Sequence, residues 1–102
     1  KRGNSMEKLV LEEQDLINAV CFFHAKFKQT QPENVEVELC YDDEVGYTAE
    51  AYYNGATDEY KQAHFITAIR LYIDEQLNKD SMAARINLDI DDELGMIANV
   101  EW

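Results

Sequence analysis

The sequence predicts an α+β two-layer sandwich built from a duplicated αββ unit, with two helices on one face of a four-stranded antiparallel sheet. Three observations favour this fold: a pattern that recurs after 49 residues (residue 35 aligns with residue 84), two amphipathic helical stretches, and a hairpin signature after each helix. The 102 residues suffice for one domain with a single core.

The repeat is clearest between residues 35–53 and 84–102, where VEVELCYDDEVGYTAEAYY aligns with ARINLDIDDELGMIANVEW. Six of the nineteen aligned pairs are identical, whereas about one identity is expected by chance from average residue frequencies. The helical stretches align at the same offset, as Ile17 and Ile66 show. Four segments that keep one spacing favour duplication over convergence.

Each repeat is predicted to open with an amphipathic helix, at residues 12–28 and at about residues 59–78. Residues 54–58 are interpreted as a loop that ends in the N-cap of the second helix. Apolar residues at helical spacing define the predicted core stripes. The first stripe contains Leu16, Ile17, Val20, Phe23, His24 and Phe27; the second contains Phe65, Ile66, Ile69, Tyr72, Ile73 and Leu77.

A hairpin is predicted after each helix, because apolar and polar residues alternate on both sides of an Asp-Asp-Glu turn. Gly46 is expected to supply a positive φ at the end of the first turn. The strand order is left open. A permuted ferredoxin-like arrangement would place the second strand of each hairpin centrally, where Ala49, Ala51 and Ala98 leave room for helices, with charged strands at the edges.

Residues 1–5 are interpreted as a remnant of a cloning tag and excluded from the fold. Residues 6–102 are then expected to form one domain, with repeats at about residues 9–53 and 58–102. No signal peptide is recognised, and no apolar run approaches the roughly 18–20 residues of a membrane span. A cytoplasmic protein without membrane contact is therefore expected.

The net charge is −12, from 21 acidic and 9 basic residues. Such a surface repels phosphate backbones, so DNA and RNA are disfavoured as partners. It favours cations or a basic protein partner. Cys21 and Cys40 show neither a metal-ligand spacing nor a disulfide framework.

Two surfaces are predicted to bind a protein partner or a second copy of the chain. Phe22 and Leu71 lie almost opposite the core stripes of their helices and are equivalent in the repeat. The other surface is the open, acidic face of the sheet. Its predicted binding residues are Glu36, Glu38, Glu50 and Tyr52. Single exposed apolar residues and wet sheet faces are also ordinary, so a plain solvated surface is the competing interpretation.

No catalytic residue, metal site or cofactor is predicted. The Asp-Asp-Glu turns lack the alternating spacing of an EF-hand loop, so solvated turns are preferred and cation binding is left open. His24 is expected to be packed and hydrogen-bonded in the core, and His64 to face solvent near Asp58 or Lys61. No nucleophile with a positioned base emerges, which argues against an enzyme.

The run LVLEEQDLINAVC, followed by QPENVEVELCYDDEVGYTAEAYY, resembles the small, uncharacterised YxcD-like bacterial family over residues 6–102. The resemblance implies a bacterial cytoplasmic protein without an assigned function, and it supplies no binding or catalytic residues. The leading hypothesis is therefore a non-enzymatic interaction or regulatory module, including a homodimer. The alternative is a protein that binds a small ligand or a divalent cation, in a pocket between helices and sheet or at the turns.

Overall fold

The computed structural model describes residues 7–102, so the tag predicted at residues 1–5 lies outside the described part. The first half of the chain contains β1 (Lys8–Leu11), α1 (Glu13–Lys28), β2 (Glu36–Asp42) and β3 (Gly46–Tyr53). The second half contains β4 (Ala56–Tyr60), α2 (Gln62–Gln76), β5 (Arg85–Asp91) and β6 (Gly95–Glu101). A single turn of 3₁₀ helix follows each α-helix.

The predicted α+β class with two helices is confirmed, but the predicted four-stranded sheet is wrong. The strands form two three-stranded antiparallel sheets, in the orders β2-β3-β4 and β1-β6-β5. The strand order, which the sequence left open, has the second strand of each hairpin at the centre and β2 and β5 at an edge. Because β3 and β6 lie in different sheets rather than side by side, the permuted ferredoxin-like arrangement is not found.

Two short strands that the sequence analysis missed explain the difference. β1 pairs with β6, with Leu11 opposite Ala98, and β4 pairs with β3, with Tyr60 opposite Ala49. Each hairpin is therefore completed by the first strand of the other half. In each sheet the third strand pairs with the edge of β3 or β6 at which the two hairpins were expected to join.

The loop predicted at residues 54–58 is a tight hairpin turn followed directly by β4. Asn54 and Gly55 both have positive φ, 54° and 82°, as the two central residues of a type I′ turn require. Because β4 continues to Tyr60, α2 begins at Gln62 instead of residue 59. Its N-cap is Lys61, whose side chain makes no capping hydrogen bond.

The helices pack on the sheet faces that carry small side chains. α1 contacts strands of both sheets, including the central strands β3 and β6, and α2 contacts β3 and β4. Ala49, Ala51 and Ala98 are fully buried there, as expected from their size. Phe27 differs from its predicted place in the core stripe: it is 70% exposed, because it lies near the end of α1 beside the cavity described below.

Both predicted hairpin turns are confirmed. Gly46 and Gly95 have φ of 94° and 82°, a region that L side chains rarely adopt. The elements of the two halves also recur at the predicted offset, since β5 begins at Arg85 and β2 at Glu36. Positions 49 residues apart can therefore be compared as structural equivalents.

Candidate binding sites

The outer face of the β2-β3-β4 sheet carries three glutamates in one row across the strands. Glu38 lies opposite Glu50, and Glu50 lies opposite Glu59. Like charges directly opposite each other on neighbouring strands destabilise a sheet. The row therefore lowers the stability of the isolated protein.

Tyr52 links two carboxylates of this row. Its hydroxyl lies 2.7 Å from Glu50 Oε1 and 3.1 Å from Glu38 Oε1, and its hydrogen can be donated to only one of them at a time. The hydrogen bond to Glu50, followed by burial and the bond to Glu38, raises the pKa of Tyr52 far above its ordinary value. The hydroxyl therefore stays protonated and partly relieves the repulsion between the two carboxylates.

The four predicted residues of this face do lie together, since Glu36 is opposite Tyr52 and Glu38 is opposite Glu50. None of the ion pairs found among residues 7–102 involves Glu36 or the glutamate row. The acidic face, defined as Glu36, Glu38, Glu50, Tyr52 and Glu59, thus has no cation paired with its carboxylates in the described chain.

The equivalent face of the β1-β6-β5 sheet is different. The positions of Glu36, Glu38, Glu50 and Glu59 are occupied there by Arg85, Asn87, Asn99 and Val10. Glu101 stands at the position of Tyr52, and its carboxylate lies 3.9 Å from Lys8 Nζ and 3.6 Å from Arg85 Nη2. The second face is therefore charge-compensated where the first is not.

The predicted helix positions, Phe22 and Leu71, are both half-buried. Phe22 lines an open groove of about 480 Å³ with Ile17, Cys21 and Tyr72, and Leu71 is not part of that lining. The structure therefore does not bring the two side chains into one groove. Their proposed role as a contact surface stays a prediction.

The acidic turns use a carboxylate to hold the backbone. Asp42 Oδ1 accepts hydrogen bonds from the N–H groups of Glu44 (2.7 Å) and Val45 (3.1 Å), and Asp91 makes the same two bonds in the second turn. The two hydrogen bonds to Asp91 lower the pKa of its carboxyl group, and the bond from the Leu94 N–H has the larger effect. Within residues 7–102, no group of three or more His, Cys, Asp or Glu side chains is placed to hold a metal ion.

A cavity of about 300 Å³ opens where the end of α1 meets β4 and the start of α2. Aromatic rings and carboxylates line it. The lining residues are Phe23, His24, Phe27, Asp58, Glu59, Tyr60 and His64. We call this the β4 cavity, because three consecutive residues of that strand contribute to it.

His24 is the buried polar group of the β4 cavity, with only 1% of its surface exposed. Its Nδ1 is hydrogen-bonded to the Tyr60 hydroxyl at 2.7 Å, so the predicted packed and hydrogen-bonded imidazole is confirmed at this nitrogen. The other nitrogen, Nε2, lies 3.5 Å from Asp58 Oδ2. Both of these atoms are buried, and neither has a hydrogen-bond partner in the described chain.

The protonation states of His24 and Tyr60 follow from their burial. Burial lowers the pKa of His24, and the charge of Asp58 opposes this shift only in part. Burial, followed by the charge of Asp58, raises the pKa of Tyr60 to about 12. At neutral pH His24 is therefore a neutral imidazole and Tyr60 a protonated phenol. One imidazole nitrogen carries the proton, and the other is an acceptor.

His64 lies at the mouth of the β4 cavity and is exposed, as predicted. Its ring stacks on Tyr60 at a centroid distance of 4.4 Å and meets the edge of Phe23 at 5.3 Å. Sequence reasoning missed this cluster because it interpreted Asp58 as part of a loop. One signal could have found it: the repeat breaks here, with His24, Asp58 and Tyr60 aligned to Ile73, Leu9 and Leu11.

None of the helices within residues 7–102 has the length and apolar content needed to cross a membrane. No curated protein and no solved structure matches the chain. A family model described as "Protein of unknown function (DUF2653)" matches residues 6–93, which include both helices and the first five strands. The expected membership of an uncharacterised family of small proteins is confirmed at this level: the chain belongs to the DUF2653 family of proteins of unknown function.

Proposed function

We propose that this protein is a non-enzymatic binding module that receives a positively charged segment of a partner protein on its acidic face. The observation that carries the proposal is the row of Glu38, Glu50 and Glu59, directly opposed on three strands and unpaired with any cation in residues 7–102. Complementary charge on a partner would remove this repulsion on binding and would steer the encounter.

A protein segment suits this face better than a metal ion does. Adjacent strands lie about 4.8 Å apart, so the row extends over roughly 10 Å on a flat surface. Calcium and magnesium need six or more oxygens that converge on one point, and a flat row does not provide them. Successive lysine or arginine side chains of a partner segment can follow such a row, and the ring of Tyr52 offers a further contact for a cation.

Charge favours a different protein over a second copy of the chain as the partner of the acidic face. A second copy of the chain carries the same net charge of −12, so face-to-face self-association would oppose two acidic surfaces. A homodimer would instead use the predicted helix positions Phe22 and Leu71. The resemblance to the YxcD-like family would place the partner in the cytoplasm of a bacterial cell.

The test is a titration of the isotope-labelled protein with a hexalysine peptide, followed by NMR at low and at moderate salt. We expect shifts at Glu38, Glu50, Tyr52 and Glu59. The triple variant Glu38→Gln/Glu50→Gln/Glu59→Gln should weaken binding about tenfold, since each exposed pair is worth about 0.2–1 kcal/mol.

A matched control separates this face from the general negative charge. The variant Glu44→Gln/Asp92→Asn/Glu93→Gln removes three carboxylates from the exposed turns, and we expect it to change the peptide's Kd less than about twofold, because the removed charges lie off the acidic face. Equal weakening by the two triple variants would show non-specific attraction and would contradict the proposal.

A further inference from the structure

We propose that the β4 cavity binds an organic ammonium ion, a protonated amine carried on a small apolar body. This site shares only Glu59 with the acidic face and does not depend on the proposed partner. The cavity joins a buried imidazole, Asp58 and several aromatic rings, and two of its buried polar atoms, His24 Nε2 and Asp58 Oδ2, have no hydrogen-bond partner in residues 7–102.

The fold itself does not need these polar groups. At the equivalent place beside the other sheet, the positions of His24 and Tyr60 are filled by Ile73 and Leu11, which are 0% and 3% exposed and pack in the core. A buried polar atom without a hydrogen bond costs about 1–3 kcal/mol. One of the two equivalent sites is therefore filled by apolar side chains, and the other by polar side chains that lower the stability of the fold. This difference points to a ligand.

The walls of the cavity fit an ammonium ion. Phe23 and Tyr60 meet edge to face, with centroids 5.8 Å apart, and the large ring of Phe27 stays mostly exposed at the side. The faces of such rings attract cations, most strongly where water is excluded. Asp58 adds a negative charge to the lining, whereas His24 is neutral, so an anionic ligand is disfavoured.

Lys28 already shows where an ammonium can lie. Its Nζ is 5.2 Å from the centroid of Phe27 and 3.5 Å from Asp58 Oδ2. The side chains of Lys28 and Asp58 are 32% and 47% exposed, so both can rotate to admit a ligand. In the other half, Leu77 stands at the position of Lys28. We infer that Lys28 occupies the ammonium position until a ligand displaces it.

His24 Nε2 and Asp58 Oδ2, the two buried atoms without a hydrogen bond, suit a single donor group. When His24 Nδ1 carries the proton and donates to Tyr60, Nε2 is an acceptor 3.5 Å from the acceptor Asp58 Oδ2. A primary ammonium has three N–H donors and can satisfy both acceptors at once. A hydroxyl can donate to only one of them, and a carboxylate to neither.

The experiment compares three probes of the same shape: benzylammonium, benzyl alcohol and benzoate. Binding is measured by NMR on the ring resonances of His24, Tyr60 and Phe27. We expect benzylammonium to bind at least about tenfold more tightly than the alcohol, and benzoate to bind least, because charge-assisted hydrogen bonds are about twice as strong as neutral ones. Equal affinities for amine and alcohol, or preference for benzoate, would overturn the proposal.

Two variants that carry the residues of the equivalent site, 49 positions away, make the test specific. The triple variant His24→Ile/Asp58→Leu/Tyr60→Leu copies the apolar site and should abolish benzylammonium binding while circular dichroism shows a folded protein. Lys28→Leu removes the internal competitor and should tighten binding by about fivefold, about 1 kcal/mol. Weaker binding by Lys28→Leu would contradict the assigned role of this lysine.

Two controls complete the experiment. Asp92→Asn removes one exposed charge far from the lining residues and should leave the affinity for benzylammonium unchanged, as should Glu38→Gln/Glu50→Gln. If the latter variant binds hexalysine more weakly than the wild type but benzylammonium equally well, the two sites are separate. Loss of benzylammonium binding in the acidic-face variant would overturn the β4 cavity as an independent site.

Discussion

The two halves of this protein share one arrangement of strands and helix but differ in two local chemistries. The β2-β3-β4 sheet carries an uncompensated acidic face, whereas the β1-β6-β5 sheet carries asparagines and paired charges at equivalent positions. The end of α1 buries His24, whereas the end of α2 buries Ile73. Because the equivalent positions hold apolar, neutral or charge-paired residues, the acidic row and the buried histidine are not requirements of the fold.

The strongest way to break this comparison is to move the histidine to the other half. Ile73→His would place an imidazole among apolar side chains such as Leu11, without the tyrosine and aspartate that face His24. We expect the free energy of unfolding to fall by about 2–4 kcal/mol, from lost apolar burial and an unpaired polar group. Urea unfolding followed by circular dichroism measures it. If Ile73→His lowers the free energy of unfolding by less than an ordinary surface substitution does, the two sites are not equivalent.

The turn glycines should sharpen the comparison, because here the halves agree. Gly46→Ala and Gly95→Ala each place a Cβ on a residue with positive φ, which costs about 1–2 kcal/mol. The added methyl would also meet the flexible side chain of Gln62 or Glu13, respectively, and either can move away. We expect nearly equal drops in the free energy of unfolding by urea denaturation. A large difference between the variants would disprove the equivalence of the turns.

The dependence of stability on pH should come partly from the β4 cavity. Burial lowers the pKa of His24 in the folded protein, so the unfolded chain binds a proton that the folded chain does not. This contribution to stability is present above the unfolded pKa of about 6.5 and declines as the pH falls below it. Asp58, Lys28, His64 and Tyr60 face the imidazole and modulate the size of the effect.

The measurement is the free energy of unfolding between pH of about 7.5 and 5.5, bracketing the unfolded pKa of histidine. The triple variant His24→Ile/Asp58→Leu/Tyr60→Leu should show a shallower loss of stability over this range than the wild type. His64→Gln serves as the control that retains the buried imidazole. Identical slopes in the wild type and the triple variant would show that His24 is protonated equally in both states.

Local signals were enough to predict the helices and the hairpins. The stripe of α1, its acidic first turn and the Asp-Asp-Glu-x-Gly turns each depend on neighbours in sequence, and apart from Phe27 in the stripe they agree with the structure. β1 and β4 were missed because four or five residues show too little alternation. Their pairing also depends on a hairpin whose free edge is a tertiary property, so no local pattern indicates it.

The same limit explains what was predicted of the two sites. The acidic face could be found because Glu36, Glu38 and Glu50 alternate along strands that were recognised. The β4 cavity could not, because Tyr60 reaches His24 across 36 positions of sequence, and only through a strand that had been interpreted as a loop. Comparing the two repeats for breaks in polarity would have identified these residues without any knowledge of the fold.

The smallest expected effect tests the difference between the two outer faces. Glu38→Gln/Glu50→Gln removes an opposed pair of like charges and should raise the free energy of unfolding by a few tenths of a kcal/mol, up to about 1 kcal/mol. The reverse change, Asn87→Glu/Asn99→Glu, creates such a pair on the other sheet and should lower it by a similar amount.

The changes in the free energy of unfolding of both double variants should shrink at high salt, because exposed charges are screened over about 3 Å at 1 M ionic strength. The loss of the bonds to Tyr52 works in the opposite direction, so Tyr52→Phe is needed as a background in which only the charges change. Urea unfolding of the four variants at low and high salt gives the result. If removing the glutamates destabilises the protein in the Tyr52→Phe background as well, the row is not repulsive, and the argument that it awaits a cationic partner loses its physical basis.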